Sequence, residues 1–443
     1  MPDKVVTRFA PSPTGHMHAG SYRTAFFAYL YARKHGGKFI LRIEDTDKER
    51  SKEEYTEEIF KVFKTIGITY DEHYIQSQNL PRHRELLEKL VSEDKAYISK
   101  EEAKDGSGEI KEIVRLRNQN KVVTFNDLIR GPISTDTTDL GDFVIAKNVS
   151  EPLFHLAVVI DDHDEGVTHV IRAEEHISNT PRQILIHEAL GFEIPNYAHL
   201  PLVLAPDKSK MSKRKGAVPV IEYLARGYLP EAILNAICLC GWNPDTDQEL
   251  FTRAELEREF DLDKVQKAGA VFSEEKLDWF NREYIKKLSP ETLESHVVTR
   301  LPDRVLLLPQ YSEERLQKVI PNIVERISKF EDVTKMADSG ELDFFFATPE
   351  IDKILILDKY EASEVRENLG EIIKLLTQVT QFDSESVKQT IWDYATEKGR
   401  GNVLWPMRTA LSGLKKSPDP FTIAEVIGKE ETIKRLEDAA NNI

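Results

Sequence analysis

Two short segments carry residue types and spacings suited to nucleotide chemistry. The first is RFAPSPTGHMHAGSYR (Arg8–Arg23), in which an apolar stretch, Val5–Phe9, runs into a Pro- and Gly-rich turn before a helical pattern starts near His18–Ser21. When a helix follows a parallel strand, the free N–H groups of its first turn favour an anion such as a triphosphate. Gly20 removes a side chain where a nucleotide would pack against backbone, and His18 can donate to a phosphate oxygen that gains charge in the transition state. Taken singly, a His in a turn is usually solvated or structural; the joint spacing after a strand is the signal. The second segment is DKSKMSKRKG (Asp207–Gly216), with five basic residues between Lys208 and Lys215. It reads either as a solvated cationic loop or as a mobile clamp that neutralises departing pyrophosphate, with Lys210 and Lys213 as point charges.

Such groups need a scaffold, and the surrounding pattern supplies one. Val5–Phe9 reads as a strand, Ala19–His35 as a helix stopped by Gly36 and Gly37, Lys38–Ile43 as a strand, and Lys52–Ile66 and Asn79–Lys95 as helices. Strand alternating with helix predicts a parallel α/β sheet. Between residues 96 and 155 the character changes: Val122–Phe125, Pro132–Ser134 and Phe143–Lys147 are short strand-like pieces among polar turns, as in an insertion. Ala157–Ile160 and Thr168–Arg172 resume buried-strand patterning, and a helix follows over Gln183–Leu190. From about residue 222 the chain is helix-rich, with Glu313–Met336, Ala362–Thr380 and Ser384–Lys398 as the longest runs.

Composition bounds what this scaffold can be. The 443 residues suffice for several cores, and no apolar run reaches the roughly 20 residues of a membrane span. The start, MPDKVVTRFAPSPTG, lacks an apolar stretch of signal-peptide kind, so a cytoplasmic protein is expected. Cys238 and Cys240, one residue apart in an apolar stretch, read as buried small hydrophobes in a reducing compartment. The net charge of −16 by itself mildly disfavours RNA binding, since a simple nucleic-acid coat protein would be basic. A large enzyme that binds one folded RNA through local positive patches is still compatible with it.

The two segments together resemble the paired signatures of class I aminoacyl-tRNA synthetases. His18-Ala-Gly20-Ser21 is similar to the His-Ile-Gly-His signature, and Lys210-Met211-Ser212-Lys213-Arg214 to the Lys-Met-Ser-Lys-Ser loop, about 190 residues further on. Ser21 stands for the second histidine and Arg214 for the final serine, variations associated with the glutamate branch. RFAPSPTGHMHAGSYRTA, LRIEDTD (41–47), VVIDDHDEGVTHVIRAEEHISNTPRQ (158–183), GYLPEAILNAICLCGW (227–242) and GRGNVLWPMRTALSG (399–413) resemble glutamyl-tRNA synthetases of bacterial type over nearly the whole chain.

The resemblance implies a Rossmann-like catalytic domain in two halves, 1–95 and 156–221, the second half carrying the KMSKR loop. It implies an inserted acceptor-stem-binding subdomain at 96–155, a helical stem-contact domain at 222–300 and an all-α anticodon-binding domain at 301–443. It implies ATP binding by Thr14, His18, Gly20, Ser21, Lys210, Met211, Ser212 and Lys213, with His18, Lys210 and Lys213 stabilising charge. The glutamate pocket it implies comprises Arg8, Ala10, Ser12, Glu44, Phe154, Val158 and Arg172. There Arg8 and Arg172 meet carboxylate and Glu44 meets the ammonium. At Phe154 a tyrosine is expected from the family. Asp161 and Asp162 would meet the tRNA 3′ end or organise the floor of the site.

The implied reaction activates L-glutamate with ATP and Mg²⁺, releases pyrophosphate and transfers glutamate to the 3′ end of tRNA-Glu, with tRNA-Gln as an alternative acceptor. No protein-held metal, no structural zinc and no membrane are expected, and a monomer is. Glutaminyl-tRNA synthetase, which shares the catalytic domain, ends in β-barrels; the helical pattern of 311–443 favours glutamate. The same helical tail argues against a tRNA-modifying paralogue or a small-molecule adenylyltransferase. A catalytically dead RNA-binding scaffold would have no use for Arg8, His18, Glu44, Lys210 and Lys213 together.

Overall fold

The alternation at the N-terminus builds a wound parallel sheet. In the computed structural model, which describes residues 4–102, 109–211 and 217–443, the elements run β1 (Val6–Phe9), α1 (Ala19–Lys34), β2 (Lys38–Ile43), α2 (Glu53–Ile66), β3 (Glu72–Ile75) and α3 (Leu80–Ser92). The chain continues through β4 (Ala96–Glu102), β5 (Ile110–Leu116), β6 (Val122–Asp127), β7 (Gly131–Asp136), β8 (Val144–Asn148) and β9 (Glu151–Pro152). It returns through α4 (Phe154–Asp164), β10 (His169–Ala173), α5 (Thr180–Leu190) and β11 (Asn196–Leu200).

The main sheet has the order β3-β2-β1-β10-β11-β6-β7. Val6 to Phe9 pair in parallel with Lys38 to Leu41, and His169 to Ala173 with Asn196 to Leu200. Parallel strands need crossovers, which α1, α2 and α5 supply, and both faces of the sheet are therefore covered. That is why the last five residues of β2 are all buried, Arg42 included. The chain winds outward from β1 through β2 to β3, then comes back to place β10 on the other side of β1. Between β1 and β10 the winding reverses, and at such a point a crevice opens beyond the carboxyl ends of the strands.

The segment between the halves divides in two. β4, β5, β8 and β9 form a separate antiparallel sheet. The β6–β7 hairpin instead joins the main sheet, where Asp127 pairs with Tyr197 of β11 and Leu128 donates to the Tyr197 carbonyl at 2.8 Å. Ala157–Ile160, expected as a strand, lies inside α4. Four consecutive buried apolar residues fit either a central strand or a helix packed on all sides, and periodicity does not separate the two.

The chain divides into two units, residues 1–280 and 281–443. In the second unit the helix Glu313–Arg326 buries Leu316, Val319, Ile320 and Ile323 along one stripe. The run expected as one helix over Glu313–Met336 breaks after Arg326 and restarts at Glu331. At the break the Asp332 carboxylate accepts from the Ser328 and Lys329 amides at 2.9 and 3.2 Å, which gives the interrupted backbone its partners. Arg435 is buried at the centre of this unit and donates to the carbonyls of Phe344, Leu411 and Ala347 and to Glu431. No helix among the described residues is long and apolar enough to cross a membrane.

Candidate active site

A cavity of about 560 Å³ opens at the switch point between β1 and β10. Its walls come from the residues after β1, the end of β2, the end of β10, the start of α4 and the segment 201–211. Arg8, Ala10, Ser12, Glu44, Phe154, Val158 and Arg172 line it together with Thr14, His18, Gly20, Ser21, Lys210 and Met211. Of the residues expected at the site, Ser212 and Lys213 lie outside the described residues.

The turn after β1 is fixed before any ligand arrives. Glu44 donates its amide to the Pro11 carbonyl at 2.9 Å, Thr14 to Ser12 at 2.8 Å and Lys52 to Pro13 at 3.0 Å. His18 caps α1: its Nδ1 accepts the Gly20 amide at 3.1 Å. With Nδ1 used as acceptor, the proton of the neutral ring sits on Nε2, which is thereby the donor. Gly20 has a reason beyond nucleotide approach. A Cβ there would lie 2.9 Å from His18 Cε1 and 3.0 Å from Nδ1, so a side chain would displace the ring.

The described residues on either side of the cationic segment are tied down, and those after it reach this turn. On one side Met211 donates to Val203 at 3.0 Å and Ala205 to Ser209 at 2.9 Å, while Lys210 bridges Leu204 and its ammonium pairs with Glu175. On the other side Pro219 bridges His18, and Val220 donates to the Met17 carbonyl at 3.1 Å.

At the other end of the cavity charges are paired in a buried cluster. Arg8 holds Asp162 with two bonds, Nε–Oδ1 at 3.0 Å and Nη2–Oδ2 at 3.3 Å. Arg42, 0% exposed, donates to Asp162 at 2.8 Å, Glu165 at 2.6 Å and Glu44 at 3.3 Å. Burial alone would raise the Asp162 carboxyl, but Arg8 and Arg42 more than offset it and hold it below 3.8. Burial pushes Glu44 up from 4.5, with Arg42 and Arg8 opposing. It pushes Glu165 up to about 8 against the pull of Arg42. Asp161 is held by His83 at 2.6 Å and by Asn79 and Gln76 at 2.8 Å each. Both aspartates are buried and bonded, Asp162 directly behind the cavity-lining Arg8. Among the described residues no group of three His, Cys, Asp or Glu gathers to hold a metal.

Arg172 projects from β10 and is anchored on one edge, Nη2 to Thr180 Oγ1 at 2.8 Å and Nε to His199 Nε2 at 3.2 Å. Its guanidinium lies over the Tyr197 ring, 5.3 Å from the centroid, and burial lowers it to about 10. Arg8 and Arg172 thus share a pattern: Nε and Nη2 are fixed, and Nη1 has no hydrogen bond among the described residues. Two arginines, one buried carboxylate and an anion-accepting turn at the other end make a cavity for a small zwitterion with additional negative charge, beside a nucleotide. Phe154 stands at the first position of α4, 39% exposed, near the rings of His155 and His176.

Arg42, Glu165, Asp127 and His199 were not among the expected site residues. A charged residue inside the apolar strand KFILRI was the available sign for Arg42. Nothing local marks Asp127 and His199, which meet only through the pairing of β6 with β11.

Comparison with known proteins agrees with this geometry. Residues 4–105 and 98–279 match the family described as tRNA synthetases class I (E and Q), catalytic domain, and residues 277–440 match an anticodon binding domain. The chain is similar to glutamate–tRNA ligase of Desulforamulus reducens, 38% identical with 98% of each chain covered. It is similar as well to glutamate–tRNA ligase 2 of Thermoanaerobacter pseudethanolicus, 37% identical with 99% of this chain and 98% of the relative covered. Its fold matches a crystal structure of a glutamate tRNA ligase from Elizabethkingia meningosepticum in complex with its amino acid (TM-score 0.87, 32% identity, 99% of each chain). A glutamate-tRNA synthetase structure from Elizabethkingia anophelis gives a TM-score of 0.84 at 32% identity, over 99% of this chain and 100% of that one.

Proposed function

Because the chain belongs to the glutamate–tRNA ligases of the class I tRNA synthetases, we propose that its cavity seats glutamate against Arg8, Glu44 and Arg172 and ATP against the turn around His18. The reaction it performs joins glutamate to tRNA at the expense of ATP. The glutamate α-carboxylate attacks the α-phosphorus, the bond to pyrophosphate breaks, and a ribose hydroxyl at the tRNA 3′ end then displaces AMP from the adenylate.

In this reading each side chain has a task its surroundings suit. The Nη1 edges of Arg8 and Arg172 take the two substrate carboxylates, and Glu44 takes the ammonium, with Ala10, Ser12, Phe154 and Val158 as wall. Thr14, Gly20, Ser21 and Met211 border the nucleotide, and His18 Nε2–H donates to a phosphate oxygen as charge moves onto the leaving group. Lys210 exchanges Glu175 for phosphate, and Ser212 and Lys213, outside the described residues, have the same phosphates as their task. Mg²⁺ enters as the ATP complex, held by the phosphates themselves.

The acceptor is tRNA-Glu, the protein acts as a monomer in the cytoplasm, and 96–155 and 301–443 contact the acceptor stem and anticodon. One observation carries the reading of the site: residues from six separate stretches, Arg8 to Lys210, converge on a single cavity at the switch point. Aminoacylation with purified tRNA-Glu and tRNA-Gln transcripts tests it. Glutamate incorporation into tRNA-Glu with no glutamine incorporation is expected. Glutamine charging, or glutamate kinetics unchanged in Arg172→Ala, would overturn it.

A further inference from the structure

Arg172 lines the cavity, and what fixes it comes from the neighbouring strand β11 and the first residue of α5. Its Nε–H can only donate, so His199 Nε2, 3.2 Å away, must present a lone pair. The ring proton then sits on Nδ1, where Asp127 Oδ2 accepts it at 2.6 Å. The same Asp127 oxygen accepts the His199 backbone amide at 3.0 Å, and Oδ1 accepts the amides of Ile129 and Arg130 at 3.0 and 2.9 Å. Thr180 Oγ1 lies 3.2 Å from His199 Nε2 and accepts from Arg172, closing the anchor. Both Asp127 and His199 side chains are 0% exposed, so neither can touch substrate. Burial lowers His199 although Asp127 opposes this, which keeps the ring in the neutral form the geometry requires.

Arg8 is held by the Asp162 carboxylate, whereas Arg172 has no carboxylate among its hydrogen-bond partners. A neutral imidazole orients the guanidinium without neutralising it, and the carboxylate behind it fixes which nitrogen accepts. Asp127 ends β6, so this control is exerted from the hairpin at the edge of the main sheet.

We infer that Asp127 and His199 are positioning residues for the amino-acid substrate, holding the Arg172 guanidinium edge-on so that Nη1 meets a glutamate carboxylate. The inference rests on the proposed role of Arg172. In aminoacylation kinetics, His199→Phe removes the acceptor but leaves Asp127 its three backbone donors, so the fold keeps its local ties. The Michaelis constant for glutamate should rise about tenfold to a hundredfold, the range for loss of a hydrogen bond to a charged group, while that for ATP stays within about twofold. His199→Gln, whose amide oxygen reaches the Nε2 position, should recover most of that loss. In an Arg172→Ala background His199→Phe should add nothing.

A misfolded fraction would lower kcat without raising one Michaelis constant alone, so partial unfolding does not imitate the expected result. Equal rises for glutamate and ATP, a fall in kcat only, or no change would overturn the inference while Arg172→Ala remains impaired. An unimpaired Arg172→Ala would instead remove the reading of the site on which it rests.

Discussion

Substituting Gly20 by alanine separates the stability of α1 from the chemistry of His18. The added Cβ would sit 2.9 Å from His18 Cε1 and 3.0 Å from Nδ1, against a comfortable carbon–carbon separation of about 3.5 to 4.0 Å. The ring must therefore shift by on the order of 1 Å, and the 3.1 Å bond from the Gly20 amide to Nδ1 is lost. Loss of an N-cap acceptor costs about 1 kcal/mol. Replacing Gly by Ala near a helix start returns up to about 1 kcal/mol. Net stability should thus change by less than about 1 kcal/mol. Catalysis has no such compensation, because a donor displaced by about 1 Å from a developing charge loses roughly a hundredfold in rate. Glutamate-dependent pyrophosphate exchange in the presence of tRNA reads the rate, and a thermal melt of the same protein reads stability. In a His18→Ala background the ring is gone, so Gly20→Ala should stabilise by up to about 1 kcal/mol. The reasoning is refuted if Gly20→Ala keeps its rate within about threefold, or if the double variant melts no higher than His18→Ala alone.

Two further outcomes follow from the buried charges and the pocket wall. Glu165 is raised from 4.5 to about 8, so the folded chain keeps a proton that the unfolded chain has released. Stability therefore falls as pH rises through that window, by up to about 1.4 kcal/mol per pH unit. Denaturant titrations from pH about 5 to about 9 should show a flatter profile for Glu165→Gln, and parallel profiles would contradict the assignment. Phe154→Tyr adds a hydroxyl on the cavity wall and should lower the Michaelis constant for glutamate about threefold to tenfold; no change would exclude that wall from carboxylate recognition.

Much of the site was legible because its residues sit in contiguous, strongly patterned stretches. Arg8 to Ser21 lie within one strand–turn–helix unit, and the cap position of His18 follows from where that helix starts. Glu44 directly follows a strand whose boundaries, Lys38–Ile43, were readable from its apolar run. Failures occurred where tertiary pairing decides. Ala157–Ile160 packs as a helix because α4 has α5, α3 and β8 as its partners, which local periodicity does not report. The break at Ile327–Phe330 depends on one carboxylate, Asp332, capturing two amides. The link from Asp127 to His199 spans 72 positions and exists only once β6 lies beside β11.

The division of the segment between the two halves of the sheet constrains how this enzyme can be rebuilt. The sheet of β4, β5, β8 and β9 is hydrogen-bonded apart from the main one, and it meets the cavity only through the packing of β8 on α4, which carries the wall residues Phe154 and Val158. The hairpin is another matter. Its pairing with β11 welds it to the strand that backs Arg172, so a chimera that transplants the whole stretch from a relative would import that relative's support for amino-acid choice as well. What looks in the chain like one detachable module is, in three dimensions, part accessory and part keystone.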